Sequence, residues 1–336
     1  MQHPDARVIK PRPIRLTTRT GVEVQRLLPQ AGLRKISAWC FLDHFGPTIA
    51  DDAMVVAAHP HTGLQTATWL IEGAVEHRDS IGSVQTLLPG EFNLMTAGRG
   101  IAHSELGVQT EPSFQTGALL TLAEQRVLGG GPVDRRDVMH AVQLWIALPD
   151  SVRHTAPSFE HHANLPRLVG KGFHARVFAG SMHGVTSPAT MHWPMVGAQF
   201  GIDGIDGAKL PLEKTFEHGI LPLTGSLEVD GRHVEAGELI YLPVGAGEVQ
   251  VKAHRSGTEA MLIGGEPFDE QLVMWWNFIG RSHREIVEMR RLWNARGSDE
   301  TAEVVASHDA FGATFPDNVG GWIPAPELPN VELRAR

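Results

Sequence analysis

Residues 59–73 read HPHTGLQTATWLIEG, and residues 95–105 read MTAGRGIAHSE. In each segment two candidate metal ligands stand two residues apart, His59 with His61 and His103 with Glu105. On a β-strand, side chains at positions i and i+2 project from the same face. If the two segments lie on neighbouring strands of a small barrel, all four groups converge on its interior. Imidazole nitrogens with a carboxylate oxygen suit Fe(II), Mn(II), Ni(II), Cu(II) or Zn(II).

A chance arrangement is the alternative to this metal site. The chain has 18 histidines, so one His-x-His pair can arise without function, with His59 and His61 in an ordinary turn and His103 on the surface. Three features favour the metal site. The first pair precedes a strand pattern that ends at Gly73, the second pair follows a glycine-rich loop, and two hairpin arms separate them. We therefore predict a metal centre with about two open octahedral positions, as catalytic rather than purely structural sites have.

Short alternating segments bounded by glycine and proline predict an all-β architecture. Predicted strands of the first half are 66–71, 84–88, 92–96, 114–120 and 142–148, with a loop at 129–134. Those of the second half are 175–180, 219–225, 226–231 and 238–243, with a hairpin turn at Asp230-Gly231. We predict two domains, at 1–150 and 151–336, and interpret the polar stretch 149–168 as the connection between them.

The second set of strands repeats the layout of the first and indicates a diverged internal duplication. It lacks a His-Pro-His element, and neither His218 nor His233 belongs to a His-x-His pair. We therefore expect the second domain to hold no metal. Near its end, Ser282 and Glu285 form a capping box that predicts one short helix, ending at Gly297. The remaining tail, with Phe311, Phe315 and Trp322, is expected to pack along the body of the protein.

Composition narrows the class of protein. The formal charge of -9 argues against a general nucleic-acid partner, which requires clustered cations. We interpret the basic residues between Arg7 and Arg19 as a solvated strand edge. Cys40 is the only cysteine, so an intrachain disulfide is impossible, and its apolar neighbours predict a buried, inert thiol. The N-terminus lacks a signal-peptide pattern and no segment has the length of a membrane span, so we expect a cytoplasmic protein.

Several of these segments together resemble a known family. The His-Pro-His element with Gly73, and Pro89-Gly90 with Gly98 and His103, resemble the two motifs of the cupin superfamily. Within that superfamily, the chain resembles the pirin family in particular. The segments that resemble pirins are 59–73, 77–80 (HRDS), 95–105, 41–47 (FLDHFGP), 143–149 (QLWIALP), 264–268 (GGEPF) and 275–278 (WWNF). The resemblance runs from about Arg7 to Pro326.

This resemblance implies a bicupin, an all-β fold of two facing β-barrels of jelly-roll type with a short C-terminal helix. It implies a metal in the N-terminal barrel only, usually iron, and hence Fe(II) here. The ligands carried over from the pirin pattern are His59, His61, His103 and Glu105. The glutamate that cupins usually have after His-x-His would fall near Thr66 and is absent, so Glu105 supplies the carboxylate.

Two functions are compatible with the resemblance. Some pirins are similar to quercetin 2,3-dioxygenases, which implies a flavonol-like substrate, O2, ring opening and release of carbon monoxide. Glu105 would then also accept the proton of the substrate hydroxyl. The alternative is a non-catalytic, redox-responsive iron protein that acts through protein partners, which the acidic net charge fits better than DNA.

Residues around the predicted centre have less specific signals. Phe45, Trp69 and Met95 are expected to cradle the site, although plain core packing explains each of them as well. Arg99 in the glycine loop would pair with an anionic substrate or with Glu105, or else face solvent.

A second polar cluster lies near the predicted metal ligands in the sequence. His77 and Asp79 would orient a ligand imidazole through hydrogen bonds, or else stabilise a turn. His44 is expected to form a wall of the pocket rather than to be a fifth ligand.

Overall fold

The computed structural model describes residues 5–15, 23–49, 55–108, 138–204, 206–297, 302–313 and 321–335. Its strands are β1 (Arg7–Ile9), β2 (Arg12–Arg15), β3 (Glu23–Leu28), β4 (Trp39–Ile49), β5 (Val55–His61), β6 (Leu64–Glu72), β7 (Val75–Asp79), β8 (Val84–Leu87), β9 (Phe92–Thr96), β10 (Ile101–Gly107), β11 (Val138–Ala147), β12 (Ser158–His162), β13 (Arg167–Gly170), β14 (Phe173–Met182), β15 (Val185–Thr186), β16 (Met195–Ile202), β17 (Ala208–Pro211), β18 (Glu217–Pro222), β19 (Leu227–Val229), β20 (Arg232–Val234), β21 (Leu239–Leu242), β22 (Glu248–Ala253), β23 (Glu259–Gly265), β24 (Val273–Trp275) and β25 (Phe278–Gly280). The predicted strand 114–120, the predicted loop 129–134, Arg19 and Phe315 lie outside the described residues.

Each half of the chain is a pair of facing antiparallel sheets. In the first half a seven-stranded sheet has the order β12-β9-β6-β11-β4-β3-β2, and a four-stranded sheet has the order β5-β10-β7-β8. In the second half the larger sheet follows β1-β21-β18-β23-β16-β14-β13, and the smaller one follows β17-β22-β19-β20. The prediction of an all-β bicupin of jelly-roll type is confirmed, with the described strands arranged as open sheets rather than as closed barrels.

The large sheets of the two halves face each other across a shared apolar core. Trp69 stacks on Phe178 with ring centroids 4.8 Å apart, and Trp39 meets Phe178 edge-on. Trp69 Nε1 also donates a hydrogen bond of 2.6 Å to Gln199 Oε1 of the second half. Cys40 belongs to this core, and burial raises its pKa to about 12, which confirms the prediction of an inert thiol.

Two strands pair with the half of the chain on the other side of the predicted domain boundary at residue 150. Strand β1 pairs with β21 of the second half, and β12 pairs with β9 of the first. The stretch 149–168, interpreted as the connection between the domains, contains β12 and the start of β13. Its polar composition comes from the edge position of β12, where one face and one side of the strand meet solvent. The boundary itself stays a prediction.

The basic N-terminal residues occupy strand edges, as predicted. Strands β1 and β2 each terminate a large sheet, and Arg7, Arg12 and Arg15 are exposed there. Asp230 and Gly231 turn the predicted hairpin between β19 and β20, both with positive φ.

The predicted helix is α1 (His283–Asn294), followed by a 3₁₀ turn (Ala295–Gly297), and a further helix, α2 (Ala302–Phe311), comes after it. Ser282 caps α1, its hydroxyl accepting from the backbone N–H of Glu285 at 3.3 Å. Trp322 packs edge-on against Trp293, and Phe311 is buried, so this part of the tail lies along the body as expected. No helix in the described ranges is long and apolar enough to cross a bilayer.

A buried histidine pair lies at the interface of the two halves. His44 Nε2 lies 2.7 Å from His140 Nε2, and both residues are almost fully buried. The prediction that His44 forms a pocket wall was wrong, because Asp43 and Phe45 face the cavity and strand alternation turns His44 to the opposite face. There Gly237 of the second half approaches its ring.

This pair should make stability fall with acidification. Burial lowers the pKa of His44 to about 4, and burial and then the charge of His44 lower that of His140. Unfolded imidazoles take up protons near pH 6.5, so the unfolded state binds more protons between pH 6.5 and about 4. Urea unfolding of the metal-free protein should show a pH slope that exceeds that of a His44→Leu/His140→Leu variant by up to about 1.4 kcal/mol per pH unit for each histidine. Parallel slopes would contradict this, and exposed His154→Leu is the matched control.

Candidate metal centre

Strand pairing brings three predicted ligands together. In the antiparallel pair of β5 and β10, His103 lies directly opposite His59, and Ile101 lies opposite His61. The ring centroids are 4.3 Å apart for His59 and His103, and 5.0 Å apart for the other two pairs. One nitrogen of each ring lies within 4.8 Å of the other two, and all three residues are buried. The i, i+2 spacing and the register together account for this convergence.

The protonation of these imidazoles suits metal binding. His59 Nδ1 donates to the carbonyl of Ala57 at 2.9 Å, which leaves its Nε2 lone pair available. His61 Nδ1 and His103 Nε2 are buried with no protein hydrogen-bond partner among the described residues. Burial lowers the pKa of all three rings, to about 4 for His59, so they are neutral at pH 7. Unpartnered buried nitrogens are costly, and a divalent ion would satisfy them. The residues fit a metal.

The fourth predicted ligand lies slightly apart. The pairing register shifts between His103 and Glu105, and Glu105 faces His77 across β7. A carboxylate oxygen of Glu105 forms a second group with nitrogens of His77 and His103, within the same 4.8 Å. Glu105 Oε1 also accepts from Thr68 Oγ1 at 3.5 Å, and burial raises the pKa of Glu105. His103 is therefore common to both groups.

His77 and Asp79 form a chain of contacts that leads away from His103. His77 Nδ1 lies 3.3 Å from His103 Nδ1, and His77 Nε2 lies 3.3 Å from Asp79 Oδ2. If His103 donates from Nδ1 to His77, and His77 donates from Nε2 to Asp79, every proton has an acceptor and His103 Nε2 keeps its lone pair. Such contacts orient ligand imidazoles in metal sites.

Asp79 also stabilises the turn that follows it. Its Oδ1 accepts from the backbone N–H groups of Ile81 and Ser83. Asp79 therefore has both roles that the sequence left open: it contacts His77, which contacts His103, and it stabilises the turn. Burial alone would raise the pKa of Asp79, but the hydrogen bonds from His77 and Ser83 outweigh burial and lower it.

A cavity of about 360 Å³ opens beside the imidazoles. Its lining residues are Ile14, Arg15, Val24, Arg26, Phe41, Asp43, Phe45, Val56, His59, His61, Thr68, Val75, His103, Glu105, Gln143, Trp145, Trp276, Asn277 and Ile323. Most belong to the first half, whereas Trp276, Asn277 and Ile323 come from the C-terminal region. Trp276 adopts a positive φ of 52° in the turn between β24 and β25. The cavity is therefore assembled by both halves of the chain.

Of the residues expected to cradle the site, Phe45 lines the cavity and two do not. For Trp69 the core-packing alternative holds, because Thr68 faces the cavity and alternation directs Trp69 into the core between the halves. The core-packing alternative also holds for Met95, because β9 lies one strand beyond the cavity wall and Met95 packs with Phe159 there. Arg99 is exposed in its loop and does not line the cavity, so the solvent-facing alternative holds.

The sequence reasoning missed several cavity residues. Gln143 and Trp145 stand two residues apart in the segment 143–149, and this spacing was a usable signal for a shared face. No local signal places Arg26 or Trp276 at the site. Arg26 reaches it through the pairing of β3 with β4, and the hairpin that carries Trp276 is held against the first half by the bridge between Phe278 and Thr62.

Among the described residues, two clusters of His or acidic side chains could hold a metal, and both clusters lie in the first half. In the second half, His218 is buried inside the jelly roll, and His233 is exposed beside His254 and Glu235.

Comparison with known families gives two matches along the chain. The pirin family model matches residues 21–146, and the model of the pirin C-terminal cupin domain matches residues 198–298. The first match contains all the predicted metal ligands, and the second contains the hairpin that carries Trp276 and Asn277.

Individual proteins show the same similarity. A Pseudomonas aeruginosa protein named "Putative quercetin 2,3-dioxygenase" is 41% identical over 275 residues, covering 81% of this chain and 79% of its own. A "Pirin-like protein" of Caulobacter vibrioides is 35% identical, covering 81% and 88%. Among solved structures, quercetin 2,3-dioxygenase from Acinetobacter baumannii superimposes with a TM-score of 0.82 at 35% identity, covering 98% of this chain and 97% of that one.

Proposed function

Since the chain belongs to the pirin family, we propose that it is a metal-dependent dioxygenase that cleaves a flavonol-type substrate with O2. The proposed ligands are His59, His61, His103 and Glu105, and the proposed ion is Fe(II). One observation carries the proposal: neutral, buried imidazoles with unpartnered nitrogens form the wall of a cavity large enough for a drug-sized ligand.

A bound Fe(II) would supply open coordination positions for the chelating oxygens of the substrate and for O2. The protein side chains have other tasks. Trp145 and Phe41, stacked at 4.0 Å, offer an aromatic surface against which a flat ligand can pack. Trp276 and Asn277 cover the cavity from the C-terminal half and help to exclude water.

Glu105 is the proposed proton acceptor. Because burial raises the pKa of Glu105, its carboxylate is a stronger base than an exposed glutamate and can take the proton of the substrate hydroxyl at Oε1 or Oε2. Overall, one O2 is consumed and one CO leaves for each flavonol, and both atoms of O2 remain in the ring-opened product. No external reductant is needed for this balance.

Anaerobically prepared protein, reconstituted with Fe(II) and mixed with quercetin in aerated buffer, should consume O2 and release CO in equal amounts. An oxygen electrode and the spectrum of a haem protein that traps CO measure the two gases. His61→Ala should lose the activity, and exposed His154→Ala should keep it.

Absence of turnover with Fe(II), Mn(II), Ni(II), Cu(II) and Zn(II) would overturn the proposed enzyme. In that case the same centre would serve the alternative function of a redox-responsive regulator. Protein partners captured by the iron-loaded protein should then differ between its oxidised and reduced states.

A further inference from the structure

A row of polar side chains crosses the floor of the metal cavity. Thr68 of β6 lies opposite Gln143 of β11, Gln143 lies opposite Asp43 of β4, and Asp43 lies opposite Arg26 of β3. All four line the cavity. Neighbouring strands are about 4.8 Å apart, so the row extends about 14 Å from Thr68 to Arg26. It begins beside the predicted metal ligand Glu105, to which Thr68 is hydrogen-bonded.

The members of this row differ in how fully their hydrogen bonds are used. Arg26 binds Asp43 through two parallel hydrogen bonds of 2.8 and 2.7 Å, and its guanidinium lies over the Phe41 ring. The single hydroxyl proton of Thr68 is shared between Gln143 Oε1, at 3.1 Å, and Glu105 Oε1, at 3.5 Å, and the shorter contact is to Gln143. Gln143 Nε2 has no acceptor within the part of the chain that the structure describes. The amide of Gln143 is therefore available to a ligand.

Apolar surfaces flank the row on both sides. The stacked pair of Phe41 and Trp145 lies on one side, with an angle of 13° between the rings. Phe45 and Val24 of an apolar cluster lie on the other. A polar strip between apolar walls suits a flat ligand that carries hydrogen-bonding oxygens along its length.

We propose that Gln143 is the specificity-determining residue of this cavity. It selects planar ligands whose ring oxygens extend beyond the metal-chelating group, with the Asp43–Arg26 pair marking the far end of the recognised region. Ligands with the same chelating group and no further oxygens are discriminated against. This inference rests on the proposed function, because it takes the chelating end of the ligand to be held at the metal centre.

The test compares two probes in the metal-loaded protein under anaerobic conditions. Quercetin and 3-hydroxyflavone share the 3-hydroxy-4-keto chelating edge, but 3-hydroxyflavone lacks the other hydroxyl groups. Quenching of tryptophan fluorescence, checked by calorimetry, gives both dissociation constants. Quercetin should bind about tenfold more tightly to the unaltered protein, which is what one well-placed hydrogen bond to a buried polar group can provide.

Gln143→Leu should reduce this ratio to about twofold while the affinity for 3-hydroxyflavone stays within about twofold. Gln143→Met, which keeps the side-chain length, gives a second measurement if the leucine variant folds poorly. Gln25→Leu is the matched control, because Gln25 adjoins Arg26 on β3 and does not line the cavity.

The outcomes separate this inference from the proposed function. Three outcomes would overturn the inference. They are an unchanged ratio of the two dissociation constants in both Gln143 variants, an equal loss of affinity for both probes, and no binding of either probe. Gln143-dependent selectivity without O2 consumption would support the inference and contradict the dioxygenase. O2 consumption with a Gln143-independent ratio would do the reverse.

Discussion

His103→Ala is expected to remove bound metal whichever set of neighbours completes the site. His103 belongs to the group with His59 and His61 and also to the group with His77 and Glu105. Its Nε2 is buried without a protein partner, so this nitrogen is available to the metal in either group. Changes to residues that merely orient ligands already cost 10–100-fold in affinity, so loss of this ligand should cost more than about 100-fold.

Metal content after dialysis against a competing chelator measures this loss directly. His154→Ala, which removes an exposed imidazole, should retain metal like the unaltered protein. Two further variants distinguish the groups. If His59 and His61 hold the ion and His77 orients His103, His59→Ala should lose far more affinity than His77→Leu, which should lose about 10–100-fold. Full metal occupancy at unchanged affinity in His103→Ala would refute the proposed centre.

Glu105→Gln should lower O2 consumption with quercetin by about 100- to 10,000-fold, the range that general bases contribute. Glutamine keeps the shape of the side chain and can still accept from Thr68, but it cannot take a proton from the substrate. Because three imidazoles remain, this variant should hold metal better than His103→Ala does. The diagnostic result is therefore a large fall in kcat per bound metal ion.

The matched control is Glu76→Gln on β7, where Glu76 pairs with Arg78 and does not line the cavity. It should turn over at the unaltered rate. A Glu105→Gln variant with the unaltered kcat per metal ion would exclude Glu105 as the proton acceptor. Its role would then be confined to the metal or to the packing of the site.

Local periodicity made much of this fold and site predictable. The i, i+2 spacing of His59 and His61 needs only a strand to place both rings on one face, and the strand is present. The same holds for the strand patterns, for the Asp230-Gly231 turn and for the cap of α1 at Ser282. Each of these features depends on a few adjacent residues, so the sequence contains the necessary information.

The features that the sequence left open or missed share a different cause. Trp69 and His44 are near the metal motifs in the chain, yet both side chains face the other half of the molecule. Which face of a strand meets the cavity depends on how the sheets pack, and a shift of one residue reverses it. Strand β12 in the polar stretch was not predicted for a related reason, since its partner β9 lies more than 60 residues earlier.

Alternation and turn chemistry act within a few residues, so local patterns predict the strands of both halves, the motif that pairs the histidines and the helix cap. The jelly-roll arrangement of those strands was expected from the family resemblance. Three contacts at the site cannot be predicted from any short segment: His59 lies opposite His103, Glu105 meets His77, and Gln143 joins a polar row ending at Arg26. These contacts depend on strand register and on sheet packing across the chain. The free energy that sets them comes from burying the whole apolar core, and no short segment contains it.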